Sequence, residues 1–271
     1  CAIVLCSPKP ARVQRPRMNI DVVDLHDFYR TPLGGVARDL LSNKLAQRWH
    51  SMKGLTLLGL GYPLPYLDLW ADQRQSGADR ILAAMPEKQG VIHWPSHDRS
   101  ATTLVRTGHL PFADHSIDRL LLVHSIEMED RPQDLLDEVW RVLSPGGSLI
   151  AIVPNRRGLW ARFDTTPFGY GNPYSRSQLT QLLRQSMFSC IFWSESLFVP
   201  PLPRRMMIKS APLWEKIGDG LSLPFAGVHL VEATKLLHRP ILVRKTKSYQ
   251  KLAPFLTPAS APMGYDAHPN A

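Results

Sequence analysis

The sequence predicts an α/β protein: a doubly wound, mostly parallel sheet of seven strands with helices on both faces. Three observations carry this. Short apolar runs alternate with stretches of helical spacing, the order that builds parallel sheets. Three of those runs, at 54–61, 80–85 and 148–153, are stopped by Gly or Pro, and a short apolar run of this kind is what a buried parallel strand shows. The 271 residues, 44% hydrophobic and 20% charged, are enough for a sizeable core.

Residues 21–29 read as a short helix. After a break at 32–35, residues 36–49 read as a second, with Val36, Leu40, Leu41, Leu45 and Trp49 on one stripe. Residues 54–61 (GLTLLGLG) form the first strand. Residues 80–85, stopped by Pro86, form the second, residues 102–106 the third and residues 118–125 the fourth. A helix over 131–143 follows, with Asp130 as its N-cap and Pro132 in its first turn. Ser144-Pro-Gly-Gly147 ends it with glycine where a left-handed cap is wanted, and residues 148–153 form the fifth strand. Residues 155–174 are aperiodic and rich in Arg, Gly, Pro and aromatics, a loop long enough to be a lid. Ser175 and Gln178 form a capping box that opens a helix over 178–187. Strands over 191–198 and 228–233 flank a Pro-punctuated insertion, residues 200–223, with a short helix.

The domain expected from this pattern is residues 18–251: N-terminal helices 18–53, core 54–153, lid and acceptor region 154–178, and a C-terminal part with a basic insertion, 179–251. Residues 1–17 are expected to be an extension outside the fold and residues 252–271 a flexible tail. The net charge of +9 is uneven. Residues 204–251 hold ten basic residues against Glu215, Asp219 and Glu232, whereas residues 18–203 are nearly neutral. Three cysteines exclude a disulfide framework and a four-cysteine zinc site, and no metal is expected. No apolar run approaches the roughly 18 residues of a membrane span. A cytoplasmic location is expected.

Ligands of such sheets bind beyond the C-terminal strand edge. There the first strand runs into Gly59-Leu-Gly61-Tyr62-Pro63, where glycines without Cβ atoms let backbone approach a ligand. Downstream come Leu110-Pro-Phe-Ala-Asp-His-Ser-Ile-Asp118 and Glu138-Val-Trp-Arg-Val-Leu-Ser-Pro-Gly-Gly147. In this order and spacing the chain resembles the class I S-adenosylmethionine-dependent methyltransferases of the type 11 group. It also looks like a bacterial subgroup carrying PNRRGLWAR and TPFGYGNPYSRSQL, here residues 154–162 and 166–179. The resemblance implies a Rossmann-like methyltransferase sheet and S-adenosyl-L-methionine as cofactor. It implies a cofactor site at Gly59, Gly61, Tyr62, Met85, His109, Leu110 and His124.

The departures are specific. The family's opening acid is Leu57 here, its third glycine is Pro63, and the second strand ends Ala84-Met85-Pro86 where a ribose-binding acid belongs. Arg106 stands at the family's adenine-contacting Asp position. Each lost hydrogen bond to charge is worth roughly 1.5–3 kcal/mol. His109, His124 and Ser125 are the candidate replacements.

The acceptor region follows the fifth strand. Arg156 and Arg157 suit a carboxylate or phosphate, and Trp160, Phe168, Tyr170 and Tyr174 could wall in a flat group. His124 and Tyr170 are the candidate catalytic bases. The expected partner is a small-molecule acceptor. Nucleic acid is not expected, since no RNA-binding signature accompanies the arginines. Two alternatives stand beside this reading. One is a non-catalytic descendant acting through a protein partner or another ligand. The other is a nicotinamide dinucleotide oxidoreductase, which lacks support at Leu64, where the third fingerprint glycine belongs.

Overall fold

The computed structural model describes residues 20–237 apart from 97, 99 and 222–224. The expectations for residues 1–17 and 252–271 lie outside the described residues.

The seven strands are β1 (Thr56–Gly61), β2 (Arg80–Pro86), β3 (Thr102–Val105), β4 (Ile117–Val123), β5 (Leu143–Pro154), β6 (Phe188–Ser196) and β7 (Val228–Lys235). They form one sheet in the order β3-β2-β1-β4-β5-β7-β6. The pairings from β3 through β5 are parallel, and β7 runs antiparallel to both its neighbours. The order reverses between β1 and β4, so their C-terminal ends define the crevice where such sheets place ligands.

Alternate residues of each strand feed two cores. Leu57, Met85, Leu121, Val123, Ile150 and Leu230 pack with helices α1 (Val22–Arg30) and α2 (Pro32–Arg48). Leu58, Leu60, Leu120, Leu122 and Val153 pack with α5 (Pro132–Val142) and α6 (Arg176–Gln185). One-turn helices α3 (Leu64–Leu67) and α4 (Gln73–Ser76) link β1 to β2. The predicted helices on both faces are therefore present, and the capping box at Ser175 and Gln178 is formed.

Several boundaries differ from the predicted ones for local reasons. The stretch at 32–35 is the first turn of α2, not a break. Thr31 accepts from Gly34 N at 3.0 Å, and Pro32 takes the first helical position, where no donor is needed. Gly34 sits so close to the α1 carbonyl of Phe28 that a Cβ would lie 2.0 Å from it. Asp130 does not cap α5. Its carboxylate approaches Lys88 Nζ at 3.6 Å, and Arg131 occupies the cap position without a side-chain bond. α5 passes directly into β5, because Leu143 takes extended backbone and pairs with Ile117; Gly146, at φ +81°, turns the strand instead of capping the helix. The 200–223 insertion holds a 17-residue helix, α7 (Arg205–Leu221), with Pro212 inside it.

The matched motifs at 110–118 and 138–147 form one hydrogen-bonded unit. Arg141 on α5 donates to Glu138 Oε1 and Oε2 (3.0 and 2.8 Å) and to Asp114 Oδ1 (2.6 Å). It also donates to the carbonyls of Phe112 and Leu110 (2.9 and 2.8 Å). Glu138 in turn accepts from Leu110 N at 2.8 Å. The Arg141 guanidinium holds the Glu138 carboxyl below the usual carboxylate range. A lowered native pKa stabilises the fold above the unfolded-state value and ceases to do so as pH falls through the native one. Arg141→Ala is thus expected to lower urea stability by about 2 kcal/mol at neutral pH. The gap to the wild type should shrink once pH falls below about 4.

Candidate functional site

The crevice is built from the turn after β1 outward. Gly61 has φ +95°, and a Cβ on it would lie 2.0 Å from the carbonyl oxygen of Val123 at the end of β4. The next residue, Tyr62, donates its amide to that same oxygen at 2.8 Å. Gly59 is closed in by its own chain, since a Cβ there would sit 2.5 Å from Pro63. Both glycines are thus spent on bringing protein against protein. The helix that follows, α3, is a single turn of four residues with no side-chain cap bond at its start.

The space above the turn is filled by the chain. Tyr62 is buried and its ring stacks on Tyr29 of α1, with centroids 5.7 Å apart and planes inclined by 19°. The Tyr29 hydroxyl bonds His124 Nε2 at 2.9 Å and the Tyr66 hydroxyl at 3.0 Å. Gln89 donates its side-chain amide to the His124 carbonyl at 2.6 Å, tying the loop after β2 to the end of β4. Phe168 lies 4.8 Å from the His124 ring. Met85 is fully buried beneath this layer. Burial pushes the Tyr29, Tyr62 and Tyr66 hydroxyls well above the usual tyrosine range, so all three are neutral hydrogen-bonding groups.

Within this layer several buried polar atoms lack a hydrogen-bond partner among the described residues: Gln89 Oε1, His124 Nδ1, Ser125 Oγ and both carboxylate oxygens of Glu127. His124 Nδ1 and Glu127 Oε1 approach to 3.4 Å. His124 itself has φ +49°, a conformation a non-glycine residue adopts only where its surroundings enforce it. Buried polar groups are ordinarily paired, so this cluster makes the sheet edge the candidate site among the described residues.

The cavities divide accordingly. Gln89 and Ser125 line a hollow of about 10 Å³, room for one water-sized group. Outside it, a recess of about 200 Å³ opens between the ends of β2 and β3, lined by Pro86–Lys88, Val105–Gly108 and Glu129. Small-molecule sites commonly need roughly 300–1,000 Å³. Glu87, the acid nearest the end of β2, faces outward to Arg106 at 3.4 Å. An adenosyl sulfonium fits this edge only once the tyrosines leave its inner half: among the described residues Glu127 is buried there against His124, Glu87 and Glu129 line the outer recess, and β2 ends in Met85 and Pro86.

The predicted site residues separate into groups. Gly61, Tyr62 and His124 come together at the end of β4, whereas Gly59 packs on Pro63 and Leu67 and Met85 is buried in the core shared with α1 and α2. Leu110 is buried with its amide held by Glu138, and His109 is exposed in the turn beside the outer recess. Arg156 and Arg157 are exposed after β5. Trp160 is not a pocket wall. It is fully buried, bonds the Val199 carbonyl at 2.8 Å and meets Gly227, where a Cβ would lie 2.5 Å from its ring. Phe168 is also buried, against Trp160 and His124. Tyr170 and Tyr174 are half-buried against opposite cores, so they do not share one wall. Sequence reasoning missed Tyr29, Tyr66, Gln89 and Glu127. Glu127 carried a readable signal, an acid set between Ile126 and Met128 directly after a buried strand. Tyr29 carried none, because its role depends on where α1 docks. Among the described residues no group of three or more His, Cys, Asp or Glu is placed to hold a metal ion.

Comparison with known proteins adds an independent line. Residues 85–151 match the family described as a methyltransferase domain. Over 102 residues the chain is 33% identical to the ubiquinone/menaquinone biosynthesis C-methyltransferase UbiE of Roseobacter denitrificans. That stretch covers 38% of this chain and 36% of the relative. Two solved structures share the fold at low identity. The cyclase SpnF matches with TM-score 0.51 and 20% identity over 73% of this chain and 80% of its own. An S-adenosylmethionine-dependent methyltransferase from Mesorhizobium loti matches with TM-score 0.50 and 16% identity over 71% of this chain and 96% of its own.

The Gly61 contact gives a direct check. Gly61→Ala combines a backbone strained for any side chain with a carbonyl 2.0 Å from the new Cβ. It is expected to lower the urea-derived stability by about 3 kcal/mol. Gly35→Ala, where nothing lies within 4 Å of the new Cβ, should change it little.

Proposed function

We propose, from the premise that this chain belongs to the class I S-adenosylmethionine-dependent methyltransferases, that it moves a methyl group from S-adenosylmethionine to a small-molecule acceptor. The family match over 85–151 and the sheet order support the class of reaction. The observation that carries the reading is the buried polar cluster at the β1/β4 switch point. Among the described residues Gln89, His124, Ser125 and Glu127 hold buried polar atoms without a hydrogen-bond partner where a ligand of this fold belongs. A scaffold that had given up ligands would gain stability by replacing such atoms with apolar ones.

Binding on this reading requires the inner half of the crevice to empty. Tyr29 is the group to move, since it comes from α1 and not from the sheet and is held to the edge by hydroxyl contacts with Tyr66 and His124. Arg156 and Arg157 remain the proposed anchors for an anionic acceptor, and His124 and Tyr170 the proposed proton acceptors. The proposed compartment is the cytoplasm.

One observation favours a second reading. The crevice is packed by Tyr29 and Tyr62 and lacks a ribose acid, which suits a methyltransferase-fold protein that acts through a protein partner or another ligand.

Isothermal titration with S-adenosylmethionine and S-adenosylhomocysteine separates the two. The methyltransferase reading expects weak binding by the wild type. Removal of the plugging ring in Tyr29→Ala should tighten S-adenosylhomocysteine binding by about tenfold, since less packing must be undone. Gln89→Ala, which frees the β2 loop, is a second route to the same gain if Tyr29→Ala folds poorly. No heat from the wild type or from either folded variant, at millimolar ligand, contradicts the methyltransferase reading and supports the second.

A further inference from the structure

Helix α7 is held to the domain by one face, and the described residues leave the other exposed. On the inner face Glu215 is buried. Its carboxylate bonds the Ser196 hydroxyl and accepts from Phe198 N at 3.4 Å, with Lys44 Nζ at 3.6 Å. Gly218, one turn on, lies so close to the Phe198 ring that a Cβ would sit 2.1 Å away. These contacts fix the rotation of the helix. Positions 206, 209, 213, 216 and 217 then share the outer face. Met206 is 77% exposed, Leu213 60% and Ile217 40%, which is unusual for three large apolar side chains on one helix. Between them stand exposed Lys209 and Lys216, and the described side chains of this face include no acid. An apolar cleft of about 190 Å³, lined by Phe28, Leu33, Pro201, Pro203 and Ile208 with two threonines, adjoins the first turn of the same helix.

We propose that the outer face of α7 docks on an anionic lipid surface. The mixture of groups selects this occupant. Apolar side chains interleaved with lysines suit the headgroup–acyl boundary, where the former enter the acyl edge and the latter stay with phosphate. A second copy of the chain is a poorer fit, because a two-fold pairing of this face sets Lys209 and Lys216 against the same two lysines. Nucleic acid would use the lysines and leave Met206, Leu213 and Ile217 in water. The sequence beyond the described domain has the same sign: residues 238–251 contain Arg239, Arg244, Lys245, Lys247 and Lys251 and no Asp or Glu. Clusters of this size draw a protein to anionic lipid. No helix among the described residues is long and apolar enough to cross a membrane, so the contact is one of surface attachment. It stands independently of methyl transfer.

Vesicle flotation with the full chain tests it, using phosphatidylcholine alone and phosphatidylcholine mixed with phosphatidylglycerol. The protein should float with the mixed vesicles, and added salt should release it. Leu213→Ser with Ile217→Ser should weaken binding at least about tenfold. Lys209→Gln with Lys216→Gln should weaken it roughly thirtyfold. All four sites are exposed, and circular dichroism checks that the variants keep their fold. Four results would overturn the proposal: no binding to mixed vesicles, equal binding to neutral ones, binding unchanged in both double variants, or full displacement by soluble glycerol phosphate. A dimer seen by light scattering and abolished by Leu213→Ser with Ile217→Ser would assign the face to a second copy instead.

Discussion

The arrangement of the sheet edge depends on the contact between Gly61 and the Val123 carbonyl. That oxygen receives the Tyr62 amide at 2.8 Å, and the backbone bearing Gly61 leaves no room for a Cβ beside it. The contact locks the end of β1 to the end of β4 at the point where the strand order reverses. It also aims Tyr62 back over the sheet, where its ring meets Tyr29. From there the layer extends through the Tyr29 hydroxyl to His124 and Tyr66, and through Gln89 to the His124 carbonyl. The turn thus serves packing first, and any ligand must compete with that packing.

This explains how a chain can match a methyltransferase domain over 85–151 and still have a crevice filled by its own side chains. The matched segment is mostly framework: β4, α5, the start of β5 and the Arg141 unit that holds the 110–118 loop to α5. Those parts are fixed by backbone carbonyls and by one guanidinium, and of them only the end of β4, through the Val123 carbonyl, reaches the crevice. The other residues that touch it come from outside that segment or from loops between strands. Tyr29 lies in α1, Tyr62 and Tyr66 follow β1, and Gln89 follows β2. The framework can therefore persist while the crevice changes character.

The same division governs what was legible in the sequence. Strands β1, β2 and β5 were readable because they are apolar runs closed by Gly or Pro, and β4 because of its run Leu120-Leu-Leu-Val123. The capping box of α6 was readable because its two side chains lie three residues apart. The start of α2 was not, since Pro32 and two glycines suggest a break when they stand alone and a helix start once Thr31 is seen capping it. α7 was read as short because Pro212 sits within it, yet Glu215 and Gly218 hold the helix to Phe198. At the site, the glycine turn and His124 could be picked out. Trp160 was misread, because a tryptophan in an aperiodic loop gives no local sign that its indole donates to Val199. Tyr29 and Gln89 were invisible, because their roles come from tertiary docking alone.

On the proposed function, α1 competes through Tyr29 with ligand for the inner half of the crevice. Amide hydrogen exchange across Val22–Arg30, with and without saturating S-adenosylhomocysteine, addresses it most directly. Displacement of Tyr29 should make the α1 amides exchange faster in the ligand-bound protein, while β1 and β4 keep their protection. Saturation with ligand while α1 exchanges as slowly as in the free protein would contradict the account.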